Sequence, residues 1–266
     1  MRVVFLGKGG SGKSTLAGML CIELRNRGQQ VVAIDADTVP GLAQVLEVDT
    51  GDRWDLAGAA VRRNGGWLLD GTATEVVDRH AREVASGLRF VQSGKVDGSW
   101  GDIEMFWQSH LEEWSANVAL NTVSRQYDDD DGWAVVDLQG GTLQVAGGMA
   151  GTSGVAVLVV EPFAKSVLTA RRFVEMGRWP AGLRLVGVAN KVTSDDDENF
   201  VAEALAGLGV PHWVTVPADP AVRAAERAGR PLARLEEHTP ARLAVAKLAD
   251  RLWEAAREAL PMAPSA

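Results

Sequence analysis

Cysteine is nearly missing from this sequence: Cys21 is the only one in 266 residues. No disulfide can close within the chain, and no multi-cysteine metal site can form within one subunit. Long apolar runs are missing as well. No stretch reaches the roughly 18 apolar residues that span a bilayer. The opening run Met1-Arg2-Val3-Val4-Phe5-Leu6 is broken by Gly7-Lys8 before it attains the length of a secretory leader. A cytoplasmic location is the expectation. There is no surplus of positive charge either. Lys and Arg number 27 against 35 Asp and Glu, a formal charge of −8, so net charge attracts neither nucleic acid nor anionic lipid. Internal repeats and long linkers are also lacking.

What remains is ordinary core material: 46% hydrophobic and 23% charged residues. Strand-like runs fall at 2–6, 30–34, 88–92, 133–138, 154–160, 184–189 and 212–216. Several are apolar throughout, such as Val155-Ala156-Val157-Leu158-Val159-Val160. Strands of that kind are buried on both faces, as in parallel sheets covered by helices. Helical patterns alternate with them at 13–27, 100–127, 166–177, 198–208, 220–228 and 240–260. The alternation predicts one doubly wound, mostly parallel α/β domain over 1–260, with helices on both faces and a flexible tail at 261–266. The acidic run Asp128–Asp131 reads as a solvated loop, since four adjacent carboxylates cannot all face one cation.

The chemistry is concentrated near the start. Gly7-x4-Gly12-Lys13-Ser14 follows the phosphate-loop pattern, after a strand and before a helix. Backbone N–H groups of Gly9, Gly10, Ser11 and Gly12 must turn inward around a phosphate, and glycine permits the required angles. The following helix adds the positive end of its dipole. Lys13 supplies charge for the β- and γ-phosphates, Ser14 a hydroxyl for Mg²⁺, and Thr15 reaches the α-phosphate. Asp35, Asp37 and Asp137 stand at strand ends, where carboxylates face the ligand crevice. One carboxylate should hold a Mg²⁺ water and another should orient the attacking water. Ser14, Asp35 and Asp137 form the expected metal set.

Lys8-Gly9-Gly10-Ser11-Gly12-Lys13-Ser14-Thr15 resembles the deviant Walker A motif of the MinD/ParA, nitrogenase iron protein and arsenite-pump ATPases, with Lys8 as its signature lysine. The resemblance implies a P-loop fold, ATP/ADP and Mg²⁺ as cofactors, and a homodimer that faces itself across two ATP molecules. It implies Lys8, Lys13 and Asp37 as catalytic residues, with Asp37 orienting water. It implies that Asn190 and Lys191 contact adenine, and that the loop Pro217-Ala218-Asp219 closes over the base. The CooC branch, which matures nickel carbon-monoxide dehydrogenase, is the most similar. Its likeness runs through Val159-Val160-Glu161-Pro162, Ser166 with Thr169-Ala170-Arg171-Arg172, and Glu226-Arg227-Ala228-Gly229-Arg230-Pro231-Leu232.

Two departures stand out. CooC proteins carry a Cys-x-Cys nickel site, and Ser99 and Gly101 stand at the corresponding positions; neither is a thiolate ligand. After Asp37 the chain reads Thr38-Val39-Pro40-Gly41-Leu42, where relatives have Pro-x-x-Asn-Leu. Beside the lost cysteines, Trp100, Ile103, Trp107, His110 and Trp114 recur at helical spacing. The stripe reads either as core packing or as a dimer or client-docking surface. Cys21 reads as a small core residue. The last helix, with Leu243, Leu248, Leu252, Trp253 and Leu260, reads as packed on the sheet and not as a membrane anchor. Two uses of an ATP switch are open: maturation or assembly of a client protein, and positioning of cargo on a nucleoid or membrane.

Overall fold

The structure, a computed structural model, describes residues 1–37, 41–49, 56, 58–92, 103–127, 132–176 and 179–259, with backbone alone for 103–114 and 259. In chain order the elements are β1 (Arg2–Gly7), α1 (Lys13–Asn26), β2 (Val31–Ala36), α2 (Gly41–Leu46), β3 (Ala60–Arg63), β4 (Gly66–Leu69), α3 (Ala73–His80), β5 (Arg82–Ala85), β6 (Leu88–Gln92) and α4 (Ile103–Gln126). Then follow β7 (Trp133–Leu138), α5 (Leu143–Ala146), β8 (Ser153–Val160), α6 (Ala164–Glu175), β9 (Gly182–Val192), α7 (Asp195–Gly207), β10 (His212–Pro217), α8 (Pro220–Arg227), a 3-10 turn (Leu232–Arg234) and α9 (Pro240–Ala259).

Eight strands form one sheet in the order β10-β9-β8-β1-β7-β2-β6-β5. Every neighbouring pair is parallel except β5 with β6. The seven strands expected from the sequence are all present, and the mostly parallel, doubly wound reading holds. Alternation along each strand explains the two helical layers. Val3 and Phe5 of β1 pack on one face with Leu16 and Leu20 of α1 and Leu248 and Leu252 of α9. Val4 and Leu6 pack on the other with Val76 of α3, Val123 of α4, Phe173 of α6 and Leu205 of α7. Both faces of the central strands are therefore dry, which is why they read as unbroken apolar runs.

Helix α9 is docked as expected. Leu248 and Leu252 are fully buried, and Trp253 stacks on Trp133 with ring centroids 5.8 Å apart. Cys21 is buried, and that burial pushes its thiol pKa far up, so it is an inert core residue. Among the described residues no helix is long and apolar enough to cross a membrane. Ser99, Gly101, Trp100, the acidic run at 128–131 and the tail 261–266 lie outside the described residues, as do the side chains of Ile103, Trp107, His110 and Trp114.

The sequence reading omits β3, β4, β5, α2, α3 and α5. The β3–β4 hairpin turns on Asn64-Gly65, both at positive φ (51° and 82°). That is the two-residue turn whose twist matches paired strands. Helix α3 begins with a capping box: the Thr72 hydroxyl accepts from the Glu75 N–H at 3.2 Å, and the Glu75 carboxylate accepts from the Thr72 N–H at 2.8 Å.

Candidate active site

The phosphate loop leaves β1 at Gly7 and enters α1 at Lys13. Strands lie on both sides of β1, so its C-terminal end opens into the sheet's crevice. Gly12, just before the helix, has φ 93°, and a Cβ there would stand 2.4 Å from Asn190 Nδ2. Conformation and space both demand glycine. The loop backbone turns on itself. The Ser11 N–H donates to the Lys8 carbonyl at 3.1 Å, and Lys13 Nζ donates to the same oxygen at 3.3 Å. Lys8 Nζ folds back on the Gly9 carbonyl at 3.2 Å. Ser11 is fully buried, and its hydroxyl has no partner among the described residues. Gly9 and Gly10 are exposed.

Lys13 is only 6% exposed. Burial lowers its pKa, and the charges of Asp137, Asp37 and Glu161 oppose that fall. Asp137, opposite Asp35 in the β2–β7 register, is completely buried. Its two oxygens meet no partner at full hydrogen-bond geometry; the Ser14 hydroxyl acts on it more loosely. Burial raises its pKa to about 6, against the pull of that hydroxyl and of the Lys13 charge. A buried carboxylate lacking a firm partner, beside a hydroxyl and a lysine, fits a hydrated divalent cation. Space supports the fit: Gly41 lies so close to Ser14 that an added Cβ would be 2.8 Å from the hydroxyl. Among the described residues no group of three or more His, Cys, Asp or Glu is arranged to hold a metal. Mg²⁺, which keeps most of its water, does not need one.

Asp35, which the sequence reading puts with the metal set, accepts backbone N–H groups on both of its oxygens. Its Oδ1 accepts the Asp37 N–H at 3.1 Å, and its Oδ2 accepts the N–H groups of Leu42 at 3.1 Å and Ala43 at 3.4 Å. It thereby ties α2 and Asp37 to the end of β2. Burial and then the Asp137 charge push its pKa well above the usual carboxylate range, while the Asp37 and Ala43 N–H groups draw it down.

The pair expected at adenine faces the phosphate loop from outside. Asn190 Nδ2 donates to the Ser11 carbonyl at 2.7 Å, and Lys191 Nζ donates to the Gly10 carbonyl at 2.6 Å and to Glu161 at 3.0 Å. Holding the Ser11 carbonyl turns the N–H of the same peptide, that of Gly12, the other way, while the N–H that shares a peptide with the Gly10 carbonyl, that of Ser11, points back to the Lys8 carbonyl. Lys191 sits at φ 59° to do this. The Thr15 hydroxyl donates to Glu226 of α8 at 2.8 Å. Glu161 and Glu226 enter the sequence reading only as parts of similar stretches, with no role.

Pro217 ends β10, beside Val192. Asp219, expected over the base, caps two helices. Oδ1 accepts from Ala221 N–H of α8 at 2.8 Å, and Oδ2 from Ala241 N–H of α9 at 2.9 Å. At 8% exposure, Asp219→Ala leaves both donors unpaired. It should cost about 2 kcal/mol, read as a lower urea midpoint at unchanged slope.

Across the crevice, Gly140 touches the loop: a Cβ on it would stand 2.7 Å from Gly9 Cα. Gly141 N–H donates to the Gly7 carbonyl at 3.3 Å. The end of β7 therefore rests on the phosphate loop.

Known proteins resemble this chain in sequence and in fold. A carbon monoxide dehydrogenase accessory protein, CooC, of Rhodospirillum rubrum is 25% identical over 245 residues, covering 86% of this chain and 88% of that protein. The septum site-determining protein MinD of Pyrococcus horikoshii, solved with Mg-ADP, superposes with a TM-score of 0.64 at 20% identity, over 96% of each chain. MinD in a MinC:MinD complex of Aquifex aeolicus gives 0.61 at 19% identity, over 100% of this chain and 99% of that one. The family profile described as the CobQ/CobB/MinD/ParA nucleotide binding domain matches residues 3–232. With the phosphate loop, its two lysines and the strand-end carboxylates in one crevice, the chain belongs to the CobQ/CobB/MinD/ParA nucleotide-binding family.

Proposed function

We propose that this protein is a Mg²⁺-dependent ATPase that works as a nucleotide-switched homodimer in the maturation or assembly of a client protein. The observation that carries the reading is the shared crevice: Lys8 and Lys13 on one loop, with Asp37 and Asp137 close enough to act on the Lys13 charge. Backbone N–H groups of the loop bind the phosphates, and Lys13 neutralises charge on the transferred group. Asp37 orients the attacking water and accepts its proton. Ser14 and Asp137 would hold Mg²⁺, which when bound offsets charge on the phosphate oxygens. Asp35 fixes the segment carrying Asp37. Asn190 and Lys191 brace the loop, Thr15 exchanges Glu226 for the α-phosphate, and Lys8 acts in its own site or across the dimer.

The CooC relative, aligned over most of both chains, supports the client-maturation use. A phosphate-release assay with and without Mg²⁺, together with light scattering, tests the reading. ATP should yield phosphate only with Mg²⁺, and a non-hydrolysable ATP analogue should double the molar mass while ADP leaves it monomeric. A monomer under every condition would refute the switch. The alternative, positioning of cargo on a nucleoid as in ParA relatives, predicts DNA binding that weakens steeply with salt. The net charge of −8 argues against it.

A further inference from the structure

Gln144 lies on α5, a four-residue helix with no buried residue of its own. Its side-chain amide nevertheless reaches back to the ends of two strands. Oε1 accepts the Gln139 N–H at 2.8 Å, and Nε2 donates to the Ala36 carbonyl at 2.7 Å. The partners fix the orientation of the amide, since an N–H needs the oxygen and a carbonyl needs the NH₂. Register pairs Ala36 of β2 with Leu138 of β7. The Ala36 carbonyl and the Gln139 N–H are the groups that a longer parallel ladder would join directly. Here the amide is inserted between them as a substitute peptide.

We infer that Gln144 is a positioning residue that joins the segment bearing Asp37 to the segment bearing Asp137, so that the two carboxylates keep one spacing. Ala36 directly precedes Asp37, and Gln139 follows Asp137 by two residues. The Asp37 N–H is tied to Asp35 of its own strand; the Gln144 amide crosses between strands. Little apolar burial holds α5 in place: Leu143 is 88% exposed, and Val145 is only partly buried against the core. The amide is therefore a fastening between the two strand ends, and without it they splay or close directly. Either shift moves the water-orienting carboxylate relative to the phosphates, and misplacement by about 1 Å costs on the order of a hundredfold in rate.

The catalytic arm of this inference rests on the ATPase reading, so its test uses two readouts. In the full-length protein, Gln144→Ala should lower kcat by about 10- to 100-fold, with KM and Mg-ADP affinity within about threefold of native. Hydrogen exchange should become faster in both segments, 31–37 and 137–146, and stay native in α1. Gln144→Glu keeps the acceptor for Gln139 but loses the donor to Ala36; it should loosen 31–37 alone, and it serves if the alanine variant folds poorly. Native exchange in both segments in the variants overturns the fastening. So does a loss of Mg-ADP affinity as large as the loss of kcat. If the native protein releases no phosphate, the ATPase reading fails, and the exchange data still decide the role of Gln144.

Discussion

Lys13→Ala should release phosphate from Mg-ATP at least about a hundredfold more slowly than the native chain. Lys13 is buried, which lowers its pKa, and the charges of Asp137, Asp37 and Glu161 oppose that fall. A charge so far buried acts on the phosphates with less screening than one in water. Removing a single preorganised group of this kind typically costs 10²–10³ in rate. Lys8 cannot replace it, because its ammonium is exposed and lies on the Gly9 carbonyl. The loss should fall on kcat and on nucleotide affinity together, since Lys13 faces phosphate in ground and transition states alike. Single-turnover phosphate release and calorimetric titration with Mg-ADP separate the two effects. A variant that keeps its circular dichroism spectrum and more than a tenth of native kcat would remove Lys13 from the chemistry.

Much of this site is written locally in the chain. Gly12 must be glycine because of its own φ and its approach to Asn190, so the loop is recognisable from spacing alone. The central strands are legible because each is dry on both faces. Other features were encoded but overlooked: Asn64-Gly65 marks the hairpin, and Thr72 with Glu75 marks the start of α3. A third group has no local signature. Nothing in the sequence around Gln144 says that its amide will fill a rung between β2 and β7, because the partners come from residues 36 and 139. Asn190 and Lys191 are legible as crevice residues, yet their partners are carbonyls about 180 positions earlier. Asp219 is read as a nucleotide-loop residue and acts as a double helix cap, since the N–H of Ala241 reaches it only through the packing of α9.

The second large effect separates stability from function at one residue. Asp137→Asn should make the nucleotide-free protein more stable at pH 7.5 while abolishing Mg²⁺-dependent hydrolysis. Asp137 is fully buried with its pKa raised from 3.8 to about 6, mainly by loss of solvent. The folded state thus binds more protons than the unfolded state between those values. Stability from this group is present in full below the unfolded value, falls as pH rises through that window, and is flat above it. Two pH units correspond to about 3 kcal/mol. Asn carries no charge, so it escapes that penalty, although its NH₂ group still needs a partner, which offsets part of the gain. Removing the charge also relieves Asp35, whose pKa Asp137 helps to raise. The melting temperature at pH 7.5 should rise by several degrees, and the native decline in stability from about pH 4 to 6 should flatten in the variant. Mg-ADP should stabilise the native protein strongly and the variant weakly, because bound ligand adds stability only in proportion to its affinity for the folded state. Equal melting temperatures for the two nucleotide-free proteins at pH 7.5 would mean that the Asp137 carboxylate is not held at a cost, and would remove that argument for it as a metal ligand. A stabilised variant that has lost hydrolysis would show the fold tolerating a buried, unsatisfied charge because the cation needs it there.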